Sequence, residues 1–157
     1  MSEATQAATR TPNPNSTARI ATHPIHPMLV PFPIVCFVGA LITDIAYWQT
    51  AQMMWADFSA WLLFAGLVLG VLAAIAGLID FLGSRRIREL APAWLHMVGN
   101  AVVLLLALFN SFVHSRDAWT SVVPTGLVLS VLTVLVMLFT GWLGWEMVYR
   151  RHVGVAD

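Results

Sequence analysis

The sequence predicts an all-α membrane protein: four transmembrane helices in an up-down-up-down antiparallel bundle, with both termini in the cytoplasm. Three observations predict it. Of the 157 residues, 59% are hydrophobic and only 10% charged, far from the balance of a soluble domain. Four apolar runs, residues 28–48, 58–82, 93–115 and 122–147, are each long enough to cross a hydrocarbon core, which takes about 20 helical residues. The links between them are short, which makes consecutive helices antiparallel neighbours.

The first 22 residues, MSEATQAATRTPNPNSTARIAT, lack the basic start and following apolar run of a secretory signal. Their polar composition buries too little surface to offset the entropy of ordering, so they are expected to be a disordered cytoplasmic tail. The transmembrane domain is then 23–150, and 151–157 is a short cytoplasmic tail.

Between tail and membrane stands His23-Pro-Ile-His-Pro-Met-Leu-Val-Pro-Phe-Pro33, with two histidines and four prolines. A proline removes a helical hydrogen bond and pushes the residue before it out of the α region. Carbonyls are thereby left unpaired at membrane depth, which lipid tolerates only where backbone is buried in protein or lines a wet cavity. The stretch is therefore the first place to look for a site, and both histidines are expected outside regular helix.

Orientation follows from arginine, since all eight basic residues are Arg and basic loops stay in the cytoplasm. Arg10 and Arg19 precede the first span, Arg85, Arg86 and Arg88 follow the second, and Arg150 and Arg151 follow the fourth. Only Arg116 falls on the other side. Tyr47, Trp48, Trp55, Trp61 and Trp119 supply an outer aromatic belt, and Trp94, Trp142, Trp145 and Tyr149 an inner one. This makes the chain a multi-pass membrane protein.

On the second span Gly66, Gly70, Ala73 and Gly77 form a stripe of small residues that lets helices approach closely, and Asp80 continues it. On the third span His96, Asn100, Asn110 and His114 fall near one line at helical spacing, so that face is turned inward. The two histidines are separated by about 27 Å at the helical rise of about 1.5 Å per residue. They belong to opposite membrane surfaces. No internal repeat is evident.

Sorted by depth, the polar residues form two clusters. The inner one holds His23, His26, Asp80, His96, Asn100, Glu146 and Tyr149, and the outer one Asp44, Asp57, Asn110, His114 and Arg116. Ionisable groups in a span are costly and are functional candidates by default. Three readings of the inner cluster stand open. In the first it is a structural network: His23 and His26 cap the first helix, Asp80 pairs with an Arg of its own loop, and Glu146 pairs with Arg150 or Arg85. In the second, His96 with His26 or His23 ligates a b-type haem. In the third, His23, His26 and His96 hold an iron or zinc ion with a carboxylate from Asp80 or Glu146. Proton or quinone chemistry would use the same residues.

Other classes are excluded. A formal net charge of zero gives no basic footprint for nucleic acid. There is no glycine-rich phosphate loop, HExxH or CxxC. With no Lys and one Cys, Cys36, lysine and thiol nucleophiles and an intrachain disulfide are ruled out. Ser111 and His114 stand one turn apart without an acid or oxyanion donor, a structural pairing.

The opening, His23-Pro-Ile-His-Pro-Met-Leu-Val-Pro-Phe-Pro-Ile34, resembles that of a large group of uncharacterised bacterial four-helix membrane proteins, a domain of unknown function. The resemblance continues through Gly77-Leu-Ile-Asp80, His96-Met-Val-Gly-Asn100, Gly141-Trp-Leu-Gly-Trp-Glu-Met-Val-Tyr-Arg150 and Val153-Gly-Val155. Pro31, Trp145 and Arg151-His152 depart from that pattern, and the Trp145 ring narrows any groove beside Glu146. Some relatives are fused to Rieske-type iron–sulfur domains, and the layout is similar to that of small membrane cytochromes, so the resemblance implies electron transfer. It also implies that the membrane is the bacterial inner one.

The expected protein thus has a cytoplasmic-side histidine–carboxylate site, carrying electrons through haem b or a metal ion. His26 and His96 are the principal ligands, His23 a secondary one, and Asp80, Asn100 and Glu146 orient them. The alternative, from a different class, is an accessory subunit without a cofactor, packed in a homo-oligomer or a larger membrane complex through its small-residue stripes.

Overall fold

The computed structural model describes residues 13–21, 23–115 and 122–154. Four helices, Ile25–Thr50, Met53–Gly83, Ala91–His114 and Val122–Tyr149, are long and apolar enough to cross a membrane. The expected spans all occur. Large apolar side chains cover the outside, with Trp61 71%, Val35 69% and Leu138 62% exposed, a surface that only lipid solvates favourably.

The first span begins earlier than its prolines suggest. Ile25–Leu29 and Pro31–Thr50 are helical, and Val30 between them keeps right-handed helical angles (φ −53°, ψ −38°). The expectation that His26 lies outside regular helix is therefore corrected. Pro31 and Pro33 fall in the first turn of the longer segment, where a missing N–H costs least. Only His23 stays outside, exposed in a two-residue strand.

The segment before the membrane is also more structured than its composition suggests. Strand β1 (Arg19–Ile20) pairs antiparallel with β2 (His23–Pro24). Asp80 holds this arm onto the end of the second span, its Oδ1 accepting from Ser16 Oγ at 2.7 Å and from the Ala18 N–H at 2.6 Å. The Gly154 N–H donates to the Pro14 carbonyl at 2.8 Å, joining the arm to the C-terminal tail. The described parts of both terminal regions thus meet at one end of the bundle. Residues 1–12 of the expected tail lie outside the described residues.

Packing within the bundle follows two hairpins. The first span packs mainly on the second and the third on the fourth; the second then packs on the third and the first on the fourth. Small residues make this possible: a Cβ on Gly66 would lie 2.6 Å from the Phe37 ring, and one on Gly70 2.9 Å from Leu104. A central apolar layer of Phe37, Ala40, Leu63, Val103, Ala107 and Met137 fills the middle.

The two hairpins repeat one another. Buried Pro33, Phe37, Ala40 and Asp44 of the first span recur, at one constant spacing, as buried Val103, Ala107, Asn110 and His114 of the third. Buried Ser59, Leu63, Gly66, Gly70, Ala73 and Ala76 of the second likewise recur as Gly126, Ser130, Thr133, Met137, Thr140 and Leu143 of the fourth. The repeat absent from the residue identities is present in the burial pattern.

Candidate functional site

At the end of the bundle where the described terminal regions lie, His26 and His96 face each other with ring centroids 5.9 Å apart and planes at 88°. Each ring is fixed in the same way. His26 Nδ1 lies 2.7 Å from the carbonyl of Ala73 on the second span, and His96 Nδ1 lies 2.8 Å from the carbonyl of Thr140 on the fourth. A carbonyl only accepts, so each Nδ1 carries the proton and donates. In the neutral ring this tautomer leaves Nε2 unprotonated, the form that binds a metal.

Glycine makes both contacts possible. Gly77 stands one turn beyond Ala73 and Gly144 one turn beyond Thr140, each beneath the ring. A Cβ at 77 would meet His26 Nδ1 at 2.9 Å, and one at 144 would meet His96 Cε1 at 3.0 Å. Every heavy-atom substituent there pushes the imidazole off its carbonyl.

A cavity of about 70 Å³ opens beside the pair. Val30, Phe37 and Leu104 supply apolar walls, Gly70, Ala73 and Gly141 low ones, and Asn100 and Thr140 polar groups. Asn100 donates through Nδ2 to the His96 carbonyl at 2.7 Å and accepts from Thr140 Oγ1 at 3.4 Å. It therefore braces the backbone of His96 rather than its ring.

The other expected ligands do not join this pair. Asp80 is used by the N-terminal arm. Glu146 forms an ion pair with Arg151 at 3.0 Å, in place of the expected Arg150 or Arg85. Arg85 instead pairs with Glu89 at 3.1 Å, and Arg88 donates to the carbonyls of Phe81 and Leu82. His23 is exposed on β2. Among the described residues no three His, Cys, Asp or Glu side chains converge, so the metal site of three histidines and a carboxylate is corrected to a pair of imidazoles. The physical reason is competition: the N-terminal arm supplies nearer partners for Asp80 and the C-terminal tail one for Glu146.

A second polar centre lies at the far end. His114 Nε2 is 2.9 Å from Asp44 Oδ1, and both side chains are fully buried. Ser130 Oγ donates to Asp44 Oδ2, and Asn110 Nδ2 donates to Ser130 Oγ at 2.7 Å. His114 Nδ1 donates to the Asn110 carbonyl at 3.0 Å. With that nitrogen protonated, one further proton must lie between Nε2 and Oδ1, whether the couple is written as an ion pair or as two neutral groups. Asn110 Oδ1 is buried without a partner. Asp57 is exposed and apart from this centre, and Arg116 lies outside the described residues.

Of the expected residues, then, the structure joins His26 with His96, with Asn100 beside them, and Asp44 with His114 and Asn110. Sequence reasoning missed Ser130, Thr140 and the neighbouring Thr43–Ser59 hydroxyl pair at 2.7 Å. Their signal was a buried hydroxyl at helical spacing on an otherwise apolar face. The carbonyls of Ala73 and Thr140 carry no signal in the residue type.

No curated protein and no solved structure matches the chain. One family does, and its match takes in all four spans together with the His-Pro-x-His-Pro entrance. The chain belongs, over residues 22–157, to DUF2231, a family described as predicted membrane protein.

Proposed function

We propose that this protein is an electron carrier of the bacterial inner membrane that holds a b-type haem between His26 and His96, with the histidine end facing the cytoplasm. One observation carries the reading: two imidazoles, each tied through Nδ1 to a carbonyl, approach one another at 5.9 Å. Two imidazoles that share one metal through bonds of about 2 Å each have ring centres roughly 6 Å apart. Two donors suit a group that brings its own equatorial nitrogens better than a bare ion, which needs about four ligands.

The residue types beside the pair suit such a group, although the cavity of about 70 Å³ does not hold it as it stands. Apolar walls with glycine and alanine favour a flat macrocycle, and the Nδ1 hydrogen bonds raise the basicity of both Nε2 atoms. Uptake requires Val30, Phe37 and Leu104 to draw apart, because the cavity is smaller than a tetrapyrrole. Bound haem would supply a one-electron couple. The chain would orient both ligands, exclude water and set the potential.

A reduced-minus-oxidised spectrum of the purified protein tests this. A sharp α band and a shifted Soret band are expected, both lost in His96→Ala. A colourless protein that takes up no haemin refutes the reading.

The second reading is an accessory subunit of a larger membrane complex. It is favoured by the same Nδ1 bonds if they serve only to fasten the first span to the second and the third to the fourth. In that case His96→Ala lowers thermal stability with no chromophore to lose.

A further inference from the structure

We propose that Asp44 and His114 form a proton-binding site at the far end of the bundle, one that takes up a second proton reversibly while Ser130 and Asn110 reverse their hydrogen bonds to receive it. The site stands apart from the haem reading and shares no residue with it.

The polarity of the network follows from donor and acceptor chemistry. Asn110 Nδ2 donates to Ser130 Oγ at 2.7 Å, Ser130 Oγ donates to Asp44 Oδ2, and Asp44 Oδ1 shares one proton with His114 Nε2 at 2.9 Å. The Nδ1–H of His114 goes to the Asn110 carbonyl. In this state the couple has no net charge and Asn110 Oδ1 is idle. Among the described residues it is the one buried side-chain nitrogen or oxygen without a partner. A buried acceptor left idle is costly, and native structures keep one only for a reason.

A second proton supplies the reason. It enters on Asp44 Oδ2, the oxygen turned to Ser130, and the shared proton passes wholly to His114 Nε2. The carboxylic acid now donates to Ser130 Oγ, and Ser130 donates onward to Asn110 Oδ1 once the amide turns by half a revolution. The balance is one proton gained from water, no bond between heavy atoms made or broken, and a couple that passes from neutral to singly positive. Either polarity makes the same number of hydrogen bonds and leaves one amide atom idle, so Asn110 serves both.

The place suits that charge. His114 closes the helix Ala91–His114, and carbonyls at a helix C-terminus favour a cation. Ser115, which follows it, is exposed, so the far-end surface is close. In the other direction the apolar layer of Phe37, Ala40, Leu63, Val103, Ala107 and Met137 lies between the couple and the imidazole pair. The site is therefore filled and emptied from one end and is no step in a relay across the bundle. On the buried faces packed here the first span adds one other titratable group, Tyr47, and the second and fourth add none, while Asp57 is exposed. Among the described residues, no arginine or second carboxylate on these faces fixes the protonation of the couple.

The test uses the full chain in detergent, titrated with acid and followed by infrared spectroscopy and by magnetic resonance of the histidine nitrogens. The acid form is expected to show together a protonated-carboxyl band, absent from Asp44→Asn, and a His114 ring protonated at both nitrogens. In Ser130→Ala the band should rise in frequency, because the acid hydroxyl has lost its acceptor, and Ser130→Thr should bring it back. Should Asp44→Asn not fold, carboxyl-labelled aspartate identifies the band in the intact chain and the Ser130→Ala shift assigns it to Asp44. The proposal is overturned if the two signatures never coexist before the protein unfolds. A band that Ser130→Ala leaves in place overturns the reversal through Ser130 and Asn110. Haemin uptake, at the opposite end, is a separate measurement that none of these outcomes decides.

Discussion

Asp44 and His114 are the same position of the two hairpins, and they meet at the far end of the bundle with Oδ1 and Nε2 2.9 Å apart and both side chains fully buried. Breaking a buried pair leaves an uncompensated polar group and costs about 3–5 kcal/mol. Asp44→Ala and His114→Ala are each expected to destabilise the protein on that scale. The double variant should cost less than the sum, because each single change strands the other partner, and loss of Asp44 also strands Ser130. Because the positions are equivalent, the exchange Asp44→His with His114→Asp should recover part of the loss. Thermal unfolding in detergent measures all four.

The glycines beneath the imidazoles give a matched pair. In Gly77→Ala the new methyl meets the His26 ring, and in Gly144→Ala it meets the His96 ring. Neither ring can slide without leaving its carbonyl. Overpacking of this kind costs about 1–3 kcal/mol, and the two variants should agree closely in stability loss. On the haem reading, both also shift the reduction potential in the same direction, since each weakens the hydrogen bond that makes its Nε2 basic. A midpoint titration checks the sign.

Why the hairpin repeat escapes the sequence is physical. Where one half carries a large buried side chain the other often carries a small one: Phe37 answers Ala107, Met137 answers Gly70, and Leu63 answers Ser130. Large and small side chains change places between the hairpins, so residue identity does not repeat. The four spans themselves are legible because lipid demands long apolar runs. His26 and His96 are legible because a histidine at a membrane end is rare. The roles of Asp80 and Glu146 are not, since they are decided by which partner lies nearer, Ser16 and Ala18 for one and Arg151 for the other. Helix starting at Ile25 is hidden by prolines that happen to fall in first turns.

Gly141 separates cavity from scaffold. It lines the cavity beside the imidazoles, yet a Cβ built there meets nothing within 4 Å. Gly141→Leu should therefore leave stability within about 0.5 kcal/mol, as surface changes do. On the haem reading, the added side chain takes space beside the imidazoles that the macrocycle needs, so haemin uptake is expected to fall several-fold. Full loading of this variant would place the macrocycle elsewhere.

The perpendicular rings make a spectroscopic prediction that a parallel pair would not. The planes of His26 and His96 stand at 88°, held there by hydrogen bonds to carbonyls on different helices. When two axial imidazoles of a ferric low-spin haem are perpendicular, they do not lift the degeneracy of the iron orbitals that parallel rings would split. On the haem reading, the electron paramagnetic resonance spectrum of the haemin-loaded ferric protein should then show one dominant low-field feature, highly anisotropic, in place of three well-separated rhombic lines. Loosening one ring by Gly144→Ala should add a rhombic component. A rhombic wild-type spectrum would mean that the rings turn on binding, and with them the bond from Ala73 or Thr140.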